Sequence, residues 1–187
     1  LSDGLIEDNS MYIGNDPSSS TSTAEYNVAV GTTALDAVTT GDKNTAIGYD
    51  ALTANTTGHS NIAIGYDALT ANTTGASNTV SGYQAMYSNT TGYNNAVSGY
   101  QAMYSNISGI SNTASGNYAL FSSTTGHYNT SIGYQAGNSI TTGSQNVMIG
   151  FGSDPSANSA SNQIAIGYGA TGQGDNYAVI GNASIER

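Results

Sequence analysis

Cysteine and tryptophan are absent from this 187-residue sequence, and proline occurs twice. Without cysteine there can be no disulfide staple, thiolate metal site or cysteine nucleophile, and no redox compartment is implied. Fixed positive charge is nearly missing too, for Lys43 and Arg187 stand alone against a formal net charge of -10. That balance offers no basic footprint for nucleic acid or an anionic membrane surface. Between Asp67 and Asp154 there is no Asp, Glu, Lys or Arg at all. With two histidines and no localised acid pair, neither a catalytic triad nor a glycosidase carboxylate pair can be assembled. The chain is therefore read as a non-enzyme that needs no cofactor. No apolar run approaches the length of a membrane span, and no signal peptide is visible. A chain beginning at Leu1 with neither address nor anchor reads as a piece of a longer protein.

What is present is a ladder. Gly14, Gly31, Gly48, Gly65, Gly82, Gly99, Gly116, Gly133, Gly150 and Gly167 stand 17 residues apart, and Gly181 follows after a step of 14. Four places before the glycine come Asn27, Asn44, Asn61, Asn78, Asn95, Asn112, Asn129 and Asn146, then Gln163. One place before it, isoleucine or valine gives way to Ser81, Ser98 and Ser115 in three successive units. Three and four places after it come Ala51-Leu52, Ala68-Leu69, Ala85-Met86 and their equivalents. A second glycine (Gly41, Gly58, Gly75, Gly92, Gly109, Gly126, Gly143) follows at a Thr-rich corner, where it marks a positive φ or a close backbone approach.

A constant motif at constant spacing is the signature of a solenoid, and 17 residues are too few for a helical repeat. Each unit offers two short apolar runs, near Ala46-Ile47 and Ala51-Leu52, separated by turn residues. The expected fold is thus all-β, a parallel β-solenoid with two short strands per 17-residue coil. The Asn, Ala-Leu and pre-glycine columns are expected to form the inside. Coils about 4.8 Å apart would make a rod roughly 50 Å long. Residues 1–10 are read as an N-terminal cap or the end of a preceding segment, 11–182 as the repeat domain, and 183–187 as the start of a following segment. Asp16-Pro17 marks a turn in the first coil. Where Ala46-Ile47 becomes Val80-Ser81, Val97-Ser98 and Ala114-Ser115, bulk moves between the two faces of the strand. A strand with two mostly apolar faces needs a partner for the second, which points to an oligomer, and three chains around one axis would bury it symmetrically.

The run Gln163-Ile164-Ala165-Ile166-Gly167-Tyr168-Gly169-Ala170, followed by Ala178-Val179-Ile180-Gly181, resembles the YadA-type head repeats of trimeric autotransporter adhesins. Units such as Asn61-Ile62-Ala63-Ile64-Gly65-Tyr66 are also similar to repeats in phage tail-fibre proteins. The resemblance implies a left-handed parallel β-roll in a homotrimer, extracellular, at a cell surface or on a virion. The family's coil has 14 residues, so three extra residues are expected at the Thr-Thr-Gly corner.

Aromatic residues are the candidates for binding. Tyr49, Tyr66, Tyr83, Tyr100, Tyr134, Phe151 and Tyr168 follow the ladder glycine, with Asn117 the exception. This column is expected to stack upon itself. Tyr87, Tyr104 and Phe121 sit five places after the glycine in three coils alone, with Tyr93 and Tyr128 in the corner register. These five are the candidate binding residues. The Asn column is expected to bond from coil to coil. Asn55, Asn72, Asn89, Asn106, Asn129 and Asn182 open Asn-x-Ser/Thr sequons, which the repeat itself largely generates. His59 and His127 share a corner but lie four coils apart, too far for one metal, and Asp36, Asp42, Asp50 and Asp67 read as a solvated face, so no metal site is expected. The expected function is a structural fibre or head segment that adheres to a host cell-surface glycan or protein, without membrane insertion by this segment. Its rivals are a self-assembling extracellular filament and an ice- or surface-binding solenoid using Thr40, Thr57, Thr74, Thr91, Thr125 and Thr142.

Overall fold

The structure, a computed structural model, describes residues 4–7, 9–14 and 23–182. The Asp16-Pro17 turn and residues 183–187 lie outside the described residues. Two strands, β1 (Gly4–Glu7) and β2 (Ser10–Ile13), form an antiparallel pair at one end. Ten strands of three residues follow: β3 (Val28–Val30), β4 (Thr45–Ile47), β5 (Ile62–Ile64), β6 (Thr79–Ser81), β7 (Ala96–Ser98), β8 (Thr113–Ser115), β9 (Thr130–Ile132), β10 (Val147–Ile149), β11 (Ile164–Ile166) and β12 (Ala178–Ile180). From β2 onward each strand pairs in parallel with the next, in sequence order within one sheet. The chain is an all-β parallel β-solenoid of about ten turns, with no helix among the described residues.

Each strand stops where the ladder glycine begins. Gly48 and Gly65 have φ near +140°, a region closed to side-chain-bearing residues. Two places later Asp50 (φ 52°), and two after that Leu52 (φ 53°), are left-handed as well. This alternation corrects the expectation of two strands per coil. Ala51-Leu52 and its equivalents form a turn, yet its backbone still bonds from coil to coil: Leu52 N–H donates to Ala68 O at 3.1 Å and Ala54 N–H to Thr70 O at 3.1 Å. In an extended strand, neighbours point to opposite faces. Here the left-handed residue lets Ala51 and Leu52 both enter the core, where both are fully buried.

The inward column of the strands is also one place from where the spacing put it. Ala46, Ala63, Val80, Val97, Ala114, Met148 and Ala165, the central residues of their strands, are buried, while Ile47, Ile64 and Ile132 face outward. The coil is narrow, so Leu or Met from the opposite wall fills it and leaves room for a small residue beneath the sheet. The Ile-to-Ser change is thus a change of the outer surface, and Val80 and Val97 are its inner counterpart.

Two buried asparagine ladders fasten the coils. In the first, Asn78 Oδ1 accepts from Asn95 N–H at 3.1 Å and from Asn95 Nδ2 at 3.0 Å, while Asn78 Nδ2 donates to Gly92 O at 2.9 Å. The second consists of Asn55, Asn72, Asn89 and Asn106, with Asn89 Nδ2 donating to Asn72 Oδ1 at 2.8 Å and to the same Gly92 O at 3.2 Å. The corner glycine is demanded by this crowding and not by a positive φ. A Cβ on Gly75 would come 3.0 Å from Asn89 Nδ2 and would collide with Asn72 Oδ1 and Gly92 O. Two coils beyond Asn106, the last asparagine of that ladder, Ile140 takes the asparagine position and Gly137 the leucine position of the same coil, and a Cβ on Gly137 would meet Ile140 Cδ1 at 3.3 Å. Bulk lost at one core position is restored from the other.

Candidate binding surface

Three outward columns run side by side: the two flanking residues of each strand, then the residue after the ladder glycine. The first two are apolar at both ends of the rod, through Ile47, Ile62 and Ile64 on one side and Ile132 and Ile164 on the other, each 37–42% exposed. In between, Thr79, Ser81, Ala96, Ser98, Thr113 and Ser115 floor a shallow open trough. The third column is aromatic. Tyr49, Tyr66, Tyr83 and Tyr100 stack at 5.1–5.4 Å between ring centroids, and Tyr134, Phe151 and Tyr168 at 5.1–5.3 Å.

Of the five residues expected to bind, the structure joins three. Tyr87 stacks on Tyr104 at 5.2 Å, and Tyr104 on Phe121 at 5.4 Å. Tyr93 and Tyr128 are exposed, but no ring contact ties them to this stack; Tyr128 packs edge-on against His127 at 6.2 Å. The corner register therefore separates them from the patch.

The residue that the column reading passed over is Tyr118. At Gly116 the usual Gly-Tyr-Gln becomes Gly-Asn-Tyr, so the ring moves from the aromatic column into the amide column. There it stands edge-on to Tyr100 (5.4 Å, 67°), to Tyr134 (6.0 Å, 83°) and to Phe121 (5.7 Å, 64°). One side chain thereby links both ladders into a single cluster. Partial desolvation first, then the neighbouring phenols of Tyr100 and Tyr134 and a hydrogen bond with Tyr100, push the Tyr118 phenol upward from its ordinary value. The amide column itself is a ladder: Gln84 Nε2 donates to Asp67 Oδ2 at 3.1 Å and Gln101 Nε2 to Gln84 Oε1 at 2.8 Å. The inverted Asn-Tyr dipeptide was the signal for all of this.

The polar candidates are engaged within the coils. Asp42 Oδ1 accepts from Glu25 N–H at 2.8 Å, Thr33 Oγ1 donates to Asp50, and His127 Nδ1 accepts from Ile110 N–H at 3.1 Å. Among the described residues no group of three His, Cys, Asp or Glu is placed to hold a metal. Thr40, Thr57, Thr74, Thr91, Thr125 and Thr142 form a single exposed file. The threonines before them bond to the next coil, as Thr56 Oγ1 does to Thr73 O at 3.1 Å.

No protein-family model matches the chain, and no curated protein matches it significantly. Its chemistry must be read from the surface itself. Over residues 68–153 that surface is uncharged and amide- and hydroxyl-rich, and the Tyr87-Tyr104-Phe121 stack adds a second aromatic column beside the first.

Proposed function

We propose that the chain is a fibre or head segment of an extracellular adhesin, a left-handed β-roll assembled as a homotrimer at a cell or virion surface, that attaches to a host glycan or protein. The observation that carries the reading is the outward isoleucine face. Ile47 lies in register with Ile64, and Ile132 with Ile149 and Ile166; with Ile62 and Ile164 they stand on the outside of a coil whose interior is already full, on either side of the three serine coils. A second apolar face on a short parallel strand is the mark of burial on both sides, and closed rotational symmetry buries it without leaving an edge. Repetition then makes weak contacts multivalent: three chains present each coil's surface three times.

The mass in solution tests the assembly, measured by light scattering on a size-exclusion peak. Three chains support the trimer, one chain sinks it, and an open-ended series of masses favours a self-assembling filament. Ile64→Asp with Ile132→Asp is expected to give a folded single chain. Saturable attachment to host cells tests adhesion, and thermal hysteresis would speak for an ice-binding face instead.

A further inference from the structure

In a self-stacked ladder each ring covers the faces of its neighbours. With centroids 5.1–5.4 Å apart and interplanar angles of 6–15°, Tyr49, Tyr66, Tyr83 and Tyr100 offer a ligand mainly their edges. Tyr118 differs. It meets Tyr100, Tyr134 and Phe121 at steep interplanar angles of 64–83°, in T-shaped contacts. Among the described residues no ring is stacked parallel on Tyr118, unlike the rings of the two ladders.

The amide ladder breaks at the same place. Gln84 Oε1 receives the Gln101 amide, but Tyr118 stands where the next amide would be, so Gln101 Oε1 receives none. On the far side the Gln135 side chain likewise lacks an amide neighbour in the preceding coil. An open acceptor and an open amide thus flank one aromatic ring that no other ring stacks upon, about 10 Å apart at two coil spacings. Asn117, whose Oδ1 accepts from Tyr100 N–H at 3.0 Å, keeps its amide donors for solvent beside them. No Asp, Glu, Lys or Arg lies within residues 68–153 to pair with a charged ligand.

We infer that the Tyr118 junction is a binding site for an uncharged saccharide, whose apolar ring face rests on Tyr118 while its hydroxyls bond to Gln101, Gln135 and Asn117. Aromatic faces take apolar ring surfaces, and the amides that a missing neighbour leaves open supply matched donors and acceptors. The inference deepens the adhesive reading by naming its ligand class, and it rests on that reading.

Asn117→Tyr with Tyr118→Gln tests it, because the pair restores the Gly-Tyr-Gln of the neighbouring coils and both ladders with it. Wild type and variant would be titrated against a panel of uncharged oligosaccharides, with sialylated and sulfated ones as charged controls, alongside host-cell attachment. Saturable binding of uncharged saccharides by the wild type, weakened at least tenfold in a variant with unchanged circular dichroism, is the expected result. Equal binding by both proteins, or a preference for the charged controls, overturns the site. Cell attachment without any saccharide binding overturns the ligand class and leaves adhesion standing, whereas loss of both overturns the adhesive reading as well.

Discussion

Gly82 lies directly against Gly99 of the next coil: a Cβ built on Gly82 would sit 2.7 Å from the carbonyl carbon of Gly99 and closer still to its oxygen. Gly82 also has φ 143°. Gly82→Ala combines backbone strain with a clash against main chain that cannot rotate away. It is expected to destabilise the rod by about 3 kcal/mol, the sum of a strained backbone and an overpacked contact. Urea unfolding would show it, and a loss under about 1 kcal/mol would mean that neighbouring coils separate more easily than their hydrogen bonds suggest.

The two asparagine ladders should not be equally costly to break. Asn78→Ala removes the acceptor of Asn95 N–H and one donor to Gly92 O, and leaves Asn61 Oδ1 without the Asn78 amide. Asn89→Ala removes side-chain partners, and Gly92 O keeps its bond from Asn78. With a buried unmade bond costing about 1–3 kcal/mol, Asn78→Ala is expected to lose more stability than Asn89→Ala, by roughly 1–2 kcal/mol. Equal losses in parallel denaturation curves would contradict this ranking. The second ladder's position tolerates Val38, Ser123 and Ile140 in other coils, which agrees with the order.

Two aspartates near the C-terminal end should respond to pH with opposite signs. Asp175 is held below the ordinary carboxylate range by the backbone N–H of Ser161, then by the Gln163 amide. Its ionised form is favoured by folding, so its contribution is present above the unfolded value and is lost as pH falls through the lower folded one. Asp154 is raised by desolvation, despite the Ser139 N–H bond. Its contribution is present below the unfolded value and is lost as pH rises through the higher folded one. Thermal melts should find Asp154→Asn stabilising and Asp175→Asn destabilising at neutral pH, with both differences shrinking below the carboxylate range. PH-independent differences would refute the assignment.

Five of the six sequons open on asparagines whose side chains lie fully inside the rod: Asn55, Asn72, Asn89, Asn106 and Asn129. A glycan on any of them would break a ladder. Folded protein secreted from a glycosylating host is expected to carry none at these five positions, while Asn182, only partly covered at the end of the rod, remains reachable. Peptide mass mapping of the folded fraction decides it, and a glycan at Asn72 or Asn89 in folded protein would show that the ladder is dispensable.

The 17-residue period by itself determined the solenoid, its parallel register and the residues that stack, because in a repeating coil spacing along the chain is distance along the rod. Gly48 above Gly65, Asn61 above Asn78 and Tyr66 above Tyr83 follow from counting alone. Rotation about the rod does not follow from counting. Left-handed residues such as Asp50 and Leu52 turn the backbone within a coil, and this decided that Ala51-Leu52 is a turn and that Ala46, not Ile47, faces inward. The same turn brings Tyr118 between two ladders that the sequence keeps three and more residues apart. It also closes Asn72 and Asn89 inside, although both stand in sequons. A repeat shows which residues are equivalent; the path of the backbone around the coil decides which way each equivalent set points, and so where a ligand can reach.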